Sequence, residues 1–250
     1  MKVQFQRKNQ ERTRKNRIFI NIFCNIMIVC MLVAVFSISF SREIESAFSG
    51  LTSAIYRGNE ENNNISLMIN VYWGEEYIPE ILEVLEENNV QATFFIGGSW
   101  ADKNVATLNM IADAGHEIAN HGYWHKDGDD LSEEGNSKEI SNAESMIFAL
   151  TGIKTTLFAP PSGAYDSETL KAAEALGYQT IMWSKDTIDW RDQDASLIYK
   201  RATTNQQNGD LILMHPTKAT LEALDDIIKT TKANGFNLVS VSENIAQVSE

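Results

Sequence analysis

Cysteine is nearly absent from this chain. Of 250 residues only two are cysteine, Cys24 and Cys30, and both lie in one apolar stretch near the N-terminus. The remainder can hold no disulfide framework and no cysteine-based zinc site. Histidine is scarce as well, with four in all: His116, His121, His125 and His215. Positive charge is thin beyond residue 17. Residues 1–17 carry seven Lys and Arg against one acid, Glu11, a charge of +6, which leaves −19 on the rest of a chain whose total is −13. A body this acidic repels phosphate and argues against a nucleic-acid partner. No repeat or low-complexity tract interrupts it. What is present is a hydrophobic fraction of 43%, ordinary for a domain with a real core.

From Ile18 to Phe40 there is no charged residue and most side chains are apolar. That length suffices to cross a bilayer as one helix. The basic cluster before it predicts a cytoplasmic tail over 1–17, an anchor over 18–40, and a body outside the plasma membrane. A cleaved signal peptide is the competing reading, with a cut after Ala47. Residues 41–64 are mostly polar and end in Glu60-Glu61-Asn62-Asn63-Asn64, which reads as a tether.

Over residues 65–250, short apolar runs alternate with segments of helical period. Strand-like runs are Ser66–Val71, Gln91–Ile96, His116–Ala119, Leu157–Ala159, Gln179–Trp183, Asp210–Met214 and Asn237–Val241. Between them, Ile78, Ile81, Leu82 and Leu85 share one face of a helix over Tyr77–Asn89. Further helices are expected over Val105–Ala114, Ser137–Leu150, Glu168–Leu176 (capped by Asp166), Ala195–Asn205 and Thr220–Asn234. Alternation of this kind predicts an α/β fold with a mainly parallel sheet, open or closed into a barrel. The chemically unusual residues fall at or just past the carboxyl ends of successive strands: Asn70, His121, the Pro160–Gly163 turn, Asp189 and His215. In sheets and barrels of this class, active sites form at that edge.

His121-Gly122-Tyr123-Trp124-His125 places two imidazoles four residues apart, within reach of one metal ion if the segment turns. Neutral imidazoles suit zinc or a similar divalent cation. His116, at the start of its strand, reads as structural.

These stretches together resemble the polysaccharide deacetylase family, the NodB-like carbohydrate esterases of family 4. The resemblance rests on Ala92-Thr93-Phe94-Phe95, His116-Glu117-Ile118-Ala119-Asn120-His121 through His125, Pro160-Pro161-Ser162-Gly163, Thr187-Ile188-Asp189-Trp190 and Leu213-Met214-His215-Pro216. The run Asn70-Val71-Tyr72-Trp73-Gly74-Glu75-Glu76-Tyr77 looks like the sporulation-associated branch of that family. The resemblance implies a deformed (β/α) barrel and metal-assisted hydrolysis of N-acetyl groups on an amino-sugar polymer such as peptidoglycan or chitin. It implies that His121 and His125 are metal ligands, that His215 is the general acid, and that Asp189 orients it. Trp73, Trp124 and Trp190 lie inside these motifs, and with Pro160 they are candidates to contact the sugar.

The chain departs from the family pattern at three points. The base position reads Asn70, whose amide cannot take up a proton at neutral pH. Neither Val71 nor Tyr72 supplies the family's metal carboxylate. The family's arginine before the Pro-Pro turn is Ala159 here. Loss of a buried acid together with its cationic partner is coherent, because either charge alone is costly in a pocket. The expectation is therefore a membrane-anchored, extracellular deacetylase homologue with reduced activity and a weak metal site. The alternative is a glycan-binding protein that keeps the cleft and has lost hydrolysis.

Overall fold

The computed structural model describes residues 53–246, together with Met27 and Met31. The basic tail, most of the apolar segment 18–40 and residues 41–52 lie outside the described residues, and with them the expected membrane anchor. Among the described residues no helix is long and apolar enough to cross a membrane.

The body alternates strand and helix throughout. β1 (Asn64–Val71) leads to α1 (Ile78–Glu87), β2 (Thr93–Ile96), α2 (Gly98–Lys103), α3 (Val105–Asp113) and β3 (Glu117–Asn120). Then come α4 (Glu133–Thr151), β4 (Leu157–Phe158), α5 (Ser167–Ala175), β5 (Gln179–Thr180) and β6 (Lys185–Asp186). The chain continues through α6 (Ala195–Thr203), β7 (Leu211–Met214), α7 (Lys218–Ala233), β8 (Asn237–Leu238) and α8 (Val241–Ile245). The strands hydrogen-bond in the order β5-β4-β3-β2-β1-β7-β6, with β8 beside the start of β1. Every ladder is parallel. This is a barrel-like sheet whose strand ladder is interrupted between β5 and β6, in agreement with the deformed barrel expected.

The period of two along β1 decides which side chains meet the helices and which meet the barrel interior. Leu67, Ile69 and Val71 join the large core that packs under the helices. Met68 instead joins Phe95, Ala119, Leu157, Ile181 and Leu211 in a smaller interior cluster. Asn70, two residues past Met68, is thereby committed to the interior face at the carboxyl end of the strand. Helix boundaries follow local chemistry. Asp166 caps α5 as expected, its Oδ1 accepting from the amides of Glu168 and Thr169 at 2.9 and 3.0 Å. Two short helices, α2 and α8, have no counterpart in the sequence reading, being too short to show a hydrophobic period. The expected strand Asn237–Val241 is correspondingly cut to Asn237–Leu238, because Ser240 caps α8 by accepting from the Glu243 amide at 3.3 Å.

From Ser53 onward the segment read as a tether is built into the body. Ile55 donates its amide to Thr180 at 2.8 Å and accepts from Met182 at 2.8 Å, which places it beside β5. Gly58 bonds to Gly209 and Asn59 to Asn244, at 2.7 and 2.8 Å. Arg57 pairs with the buried Asp210 at 2.6 Å. Ile55 also packs against the interior cluster. Main-chain and side-chain bonds share this join, and their partners lie far along the chain, where local sequence cannot reveal them.

Candidate functional site

The parallel register brings the carboxyl ends of the strands to one edge. Asn70 lies opposite Phe95, Ile96 opposite Asn120, Asn120 opposite Phe158, and Ile69 opposite Met214. A cleft of about 360 Å³ opens at this edge. Of the residues singled out from sequence, Asn70, Trp73, His121, His125, Trp190 and His215 line it. Asp189 lies behind the wall, fully buried. Trp124 and Pro160 are not among the lining residues. Pro160 is buried at the start of its turn, and Trp124 is 54% exposed with its ring edge-on to Tyr123.

His121 follows directly on β3 and is 2% exposed. Its Nδ1 donates to the Ala159 carbonyl at 2.8 Å, since a carbonyl can only accept. That bond fixes the tautomer and leaves Nε2 as an acceptor. Burial, with His125 next in weight, pushes the His121 pKa down to about 3, so the ring is neutral at physiological pH. The His125 ring sits 5.0 Å away, centroid to centroid, and its pKa is also lowered, again chiefly by burial. His125 has a left-handed backbone (φ 55°), and its side chain lines the cleft. Tyr72 stacks on it at 4.5 Å.

The other half of the site is a tight network around Asp189. Its Oδ1 accepts from His215 Nδ1 at 2.8 Å, and its Oδ2 accepts from the His215 amide and from Thr220 Oγ1, both at 2.6 Å. His215 Nε2 is thus the ring nitrogen left free for a ligand. Trp73 lies nearly parallel to this ring, 5.7 Å away with an 8° tilt. Gly74 allows the approach: its φ of 81° suits glycine, and a Cβ there would collide with the Pro216 carbonyl.

Sequence reasoning missed several contributors. Glu139, buried on α4, accepts from the amides of Tyr123 and Trp124 at 3.0 and 2.7 Å and so holds the loop between the two histidines. Thr220 was invisible because it lies far along the chain from Asp189. Tyr72, Trp183 and Asp186 also line the cleft. Asp186 immediately precedes the quoted Thr187–Trp190 run, and its Oδ1 accepts from Ile188 N at 2.7 Å.

The donor set does not complete a catalytic metal centre. Such zinc sites take three protein ligands. Among the described residues no group of three or more His, Cys, Asp or Glu side chains gathers to hold an ion. His121 and His125 are brought together as expected, but among the described residues no third ligand joins them. Asn70 is 4% exposed and its Oδ1 has no hydrogen-bond partner. Ala159 is fully buried and offers only its carbonyl, already engaged by His121.

A family model described as polysaccharide deacetylase matches residues 57–181. The chain is 38% identical over 189 residues to the uncharacterized protein YlxY of Bacillus subtilis, spanning 76% of this chain and 59% of that one. It is 33% identical over 171 residues to a peptidoglycan-N-acetylglucosamine deacetylase of Bacillus cereus, spanning 66% of this chain and 62% of that one. Among solved structures it resembles wild-type BA3943, described as a CE4 family pseudoenzyme from Bacillus anthracis, with TM-score 0.76 and 38% identity over 78% of this chain and 69% of that one. A mutant of BA3943 with restored enzymatic activity superimposes equally, with TM-score 0.76 and 37% identity over 78% of this chain and 72% of that one. This chain belongs to the polysaccharide deacetylase family.

Proposed function

We propose that the protein binds an amino-sugar glycan of the bacterial cell wall or spore wall in this cleft, outside the plasma membrane, and that its hydrolytic machinery is incomplete. One observation carries the reading: an unpartnered amide, Asn70, stands where the family's base is expected. An amide cannot deprotonate water. Among the described residues no carboxylate completes a metal centre with the two histidines, and Ala159 offers no cation. The glycan side rests on family membership and on the exposed aromatic rings at the cleft. Trp73 and Trp190 line the cleft and are 41% and 54% exposed, which leaves indole surface open to stack on a sugar ring. Membrane attachment through residues 18–40 belongs to the same proposal and rests on sequence alone.

A second reading, residual deacetylation, is favoured by the intact Asp189–His215–Thr220 network. Asp189 holds the imidazole by Nδ1, so Nε2 is placed to donate a proton to a leaving amine. The half of the reaction that expels the amine is therefore built, while the half that activates water is not.

The test is to measure binding and acetate release together on chitooligosaccharides and on peptidoglycan. The proposal expects binding with acetate release at least about 10²-fold below an intact homologue, the low end of what a general base contributes. Full-rate release by the wild-type chain overturns it in favour of the second reading. Failure to bind either glycan overturns both.

A further inference from the structure

The cleft is lined by several acceptors and by neither Lys nor Arg. His121 donates Nδ1–H to Ala159, which leaves an Nε2 lone pair. Asn70 is almost fully buried at the edge of the cleft, and its oxygen has no donor. Asp186 uses Oδ1 to hold the Ile188 amide, and its other oxygen has no partner among the described residues. Among the residues lining the cleft there is no Lys or Arg, and Asp186 is the one carboxylate. On the neighbouring segment Arg191 and Arg201 both pair with Asp192, at 2.9 and 2.6 Å, and Arg191, lying over the Trp190 ring at 5.8 Å, offsets the Asp186 charge only from outside the lining. Three indoles, Trp73, Trp183 and Trp190, complete the walls.

Chemistry of this kind selects hydrogen-bond donors that carry positive charge. An N-acetyl group offers a single N–H donor and no charge to set against Asp186. A primary ammonium offers three N–H donors, compensates the Asp186 charge and is attracted to indole faces. We propose that the cleft recognises de-N-acetylated amino sugar, a glucosamine-type unit bearing a free ammonium, in preference to its N-acetylated form, with Asp186 as the residue that sets the preference. The inference rests on the glycan-binding reading above and names the ligand class of that site. The chain would thereby recognise the product of its catalytic relatives' chemistry, and its ligand must be supplied by an N-deacetylation reaction.

The experiment compares a glucosamine tetramer with an N-acetylglucosamine tetramer by calorimetric titration into the full-length chain, at about pH 6 so that the amine is protonated. The expected preference for glucosamine is about tenfold, the worth of one charge-assisted hydrogen bond to a partly solvated carboxylate. It should shrink as salt is raised, a measurement that needs no variant. Asp186→Asn should erase the preference. Asparagine retains an acceptor for the Ile188 amide, and an unchanged thermal melt would show the loop intact. Equal or weaker binding of glucosamine by the wild-type chain, a salt-independent preference, or a preference that survives in Asp186→Asn overturns the inference. In each of those cases binding of the acetylated tetramer leaves the broader glycan reading standing. Binding of neither tetramer sinks both.

Discussion

Glu139 and Trp124 meet through a 2.7 Å hydrogen bond from the Trp124 amide to Glu139 Oε2, and the same oxygen accepts from Tyr123 at 3.0 Å. One buried carboxylate thus fixes the backbone that carries His125. Glu139→Ala removes the acceptor from two amides and should destabilise the body by about 1–3 kcal/mol in chemical denaturation. It should also release His125, read as a sharpened ring signal in proton NMR. Glu139→Gln keeps an oxygen acceptor and should recover most of both effects. If Gln behaves like Ala, the carboxylate charge, and not the acceptor, is what matters.

Acid should unfold the protein through its buried imidazoles. His121 has a folded pKa of about 3 against an ordinary 6.5, so the unfolded chain takes up a proton that the folded chain refuses. The stability it contributes is full above about pH 6.5 and is lost as pH falls toward 3. His125 is shifted in the same direction and adds to the trend. The His121 shift amounts to a loss on the order of 4 kcal/mol across that window. Denaturation midpoints measured from pH 7 to pH 4 in zinc-free buffer should fall steeply. His121→Gln should show a shallower slope over the same range, and an unchanged slope would assign the acid sensitivity elsewhere.

Zinc should bind weakly, through two imidazoles. Titration of the full-length chain should give an affinity well below that of three-ligand sites, and His121→Ala or His125→Ala should each abolish it. Tight zinc binding by the wild-type chain would reveal a third ligand from outside the described residues.

Catalysis should return only when the two halves of the lost charge pair are restored together. Asn70→Asp alone places a carboxylate in a buried, cation-free position, where desolvation favours its protonated form. Ala159→Arg alone adds an unpaired cation beside His121. The double variant should exceed the product of the single effects on N-acetylglucosamine oligomers, with a gain toward the lower end of about 10²–10⁴-fold because the metal carboxylate stays absent. Strictly multiplicative single effects would show that the two positions do not act as one unit.

The join at residues 53–64 predicts where the body may be trimmed. A chain shortened to begin at Ile65 loses Ile55 from the interior cluster and the Arg57 partner of buried Asp210. It should melt several degrees below one that begins at Ser53, at about 2–4 °C per kcal/mol lost. Equal melting temperatures would show that the join adds nothing to stability.

Much of this architecture was legible because periodicity reports burial directly. The apolar face of α1 and the run of β1 needed no tertiary information. The histidine pair and His215 were legible because histidine is rare here and recurred at strand ends, and Asp189 was legible through the family resemblance of Thr187–Trp190. Glu139 and Thr220 were not, since each is an ordinary helical residue until the fold sets it against a distant loop. Asp186 was passed over although it adjoins a recognised run, because a carboxylate in an acidic chain stands out only when the cleft around it proves to be lined by neither Lys nor Arg. Ile55 and Arg57 were hidden for a different reason: their segment is polar overall, and its partners lie far along the chain.

That attachment has a consequence for biosynthesis. Arg57 and Asp210 are separated by 153 positions. The piece that pairs beside β5 leaves the ribosome early, while its partners Thr180, Met182, Gly209 and Asp210 are made long after it. It must stay uncommitted while almost the whole body is translated, and only then settle beside β5. Contacts of such sequence separation make folding slow. Until the last of them forms, the unpaired edge of β5 is open to another chain, so the nascent protein is most exposed to misassembly just before synthesis ends.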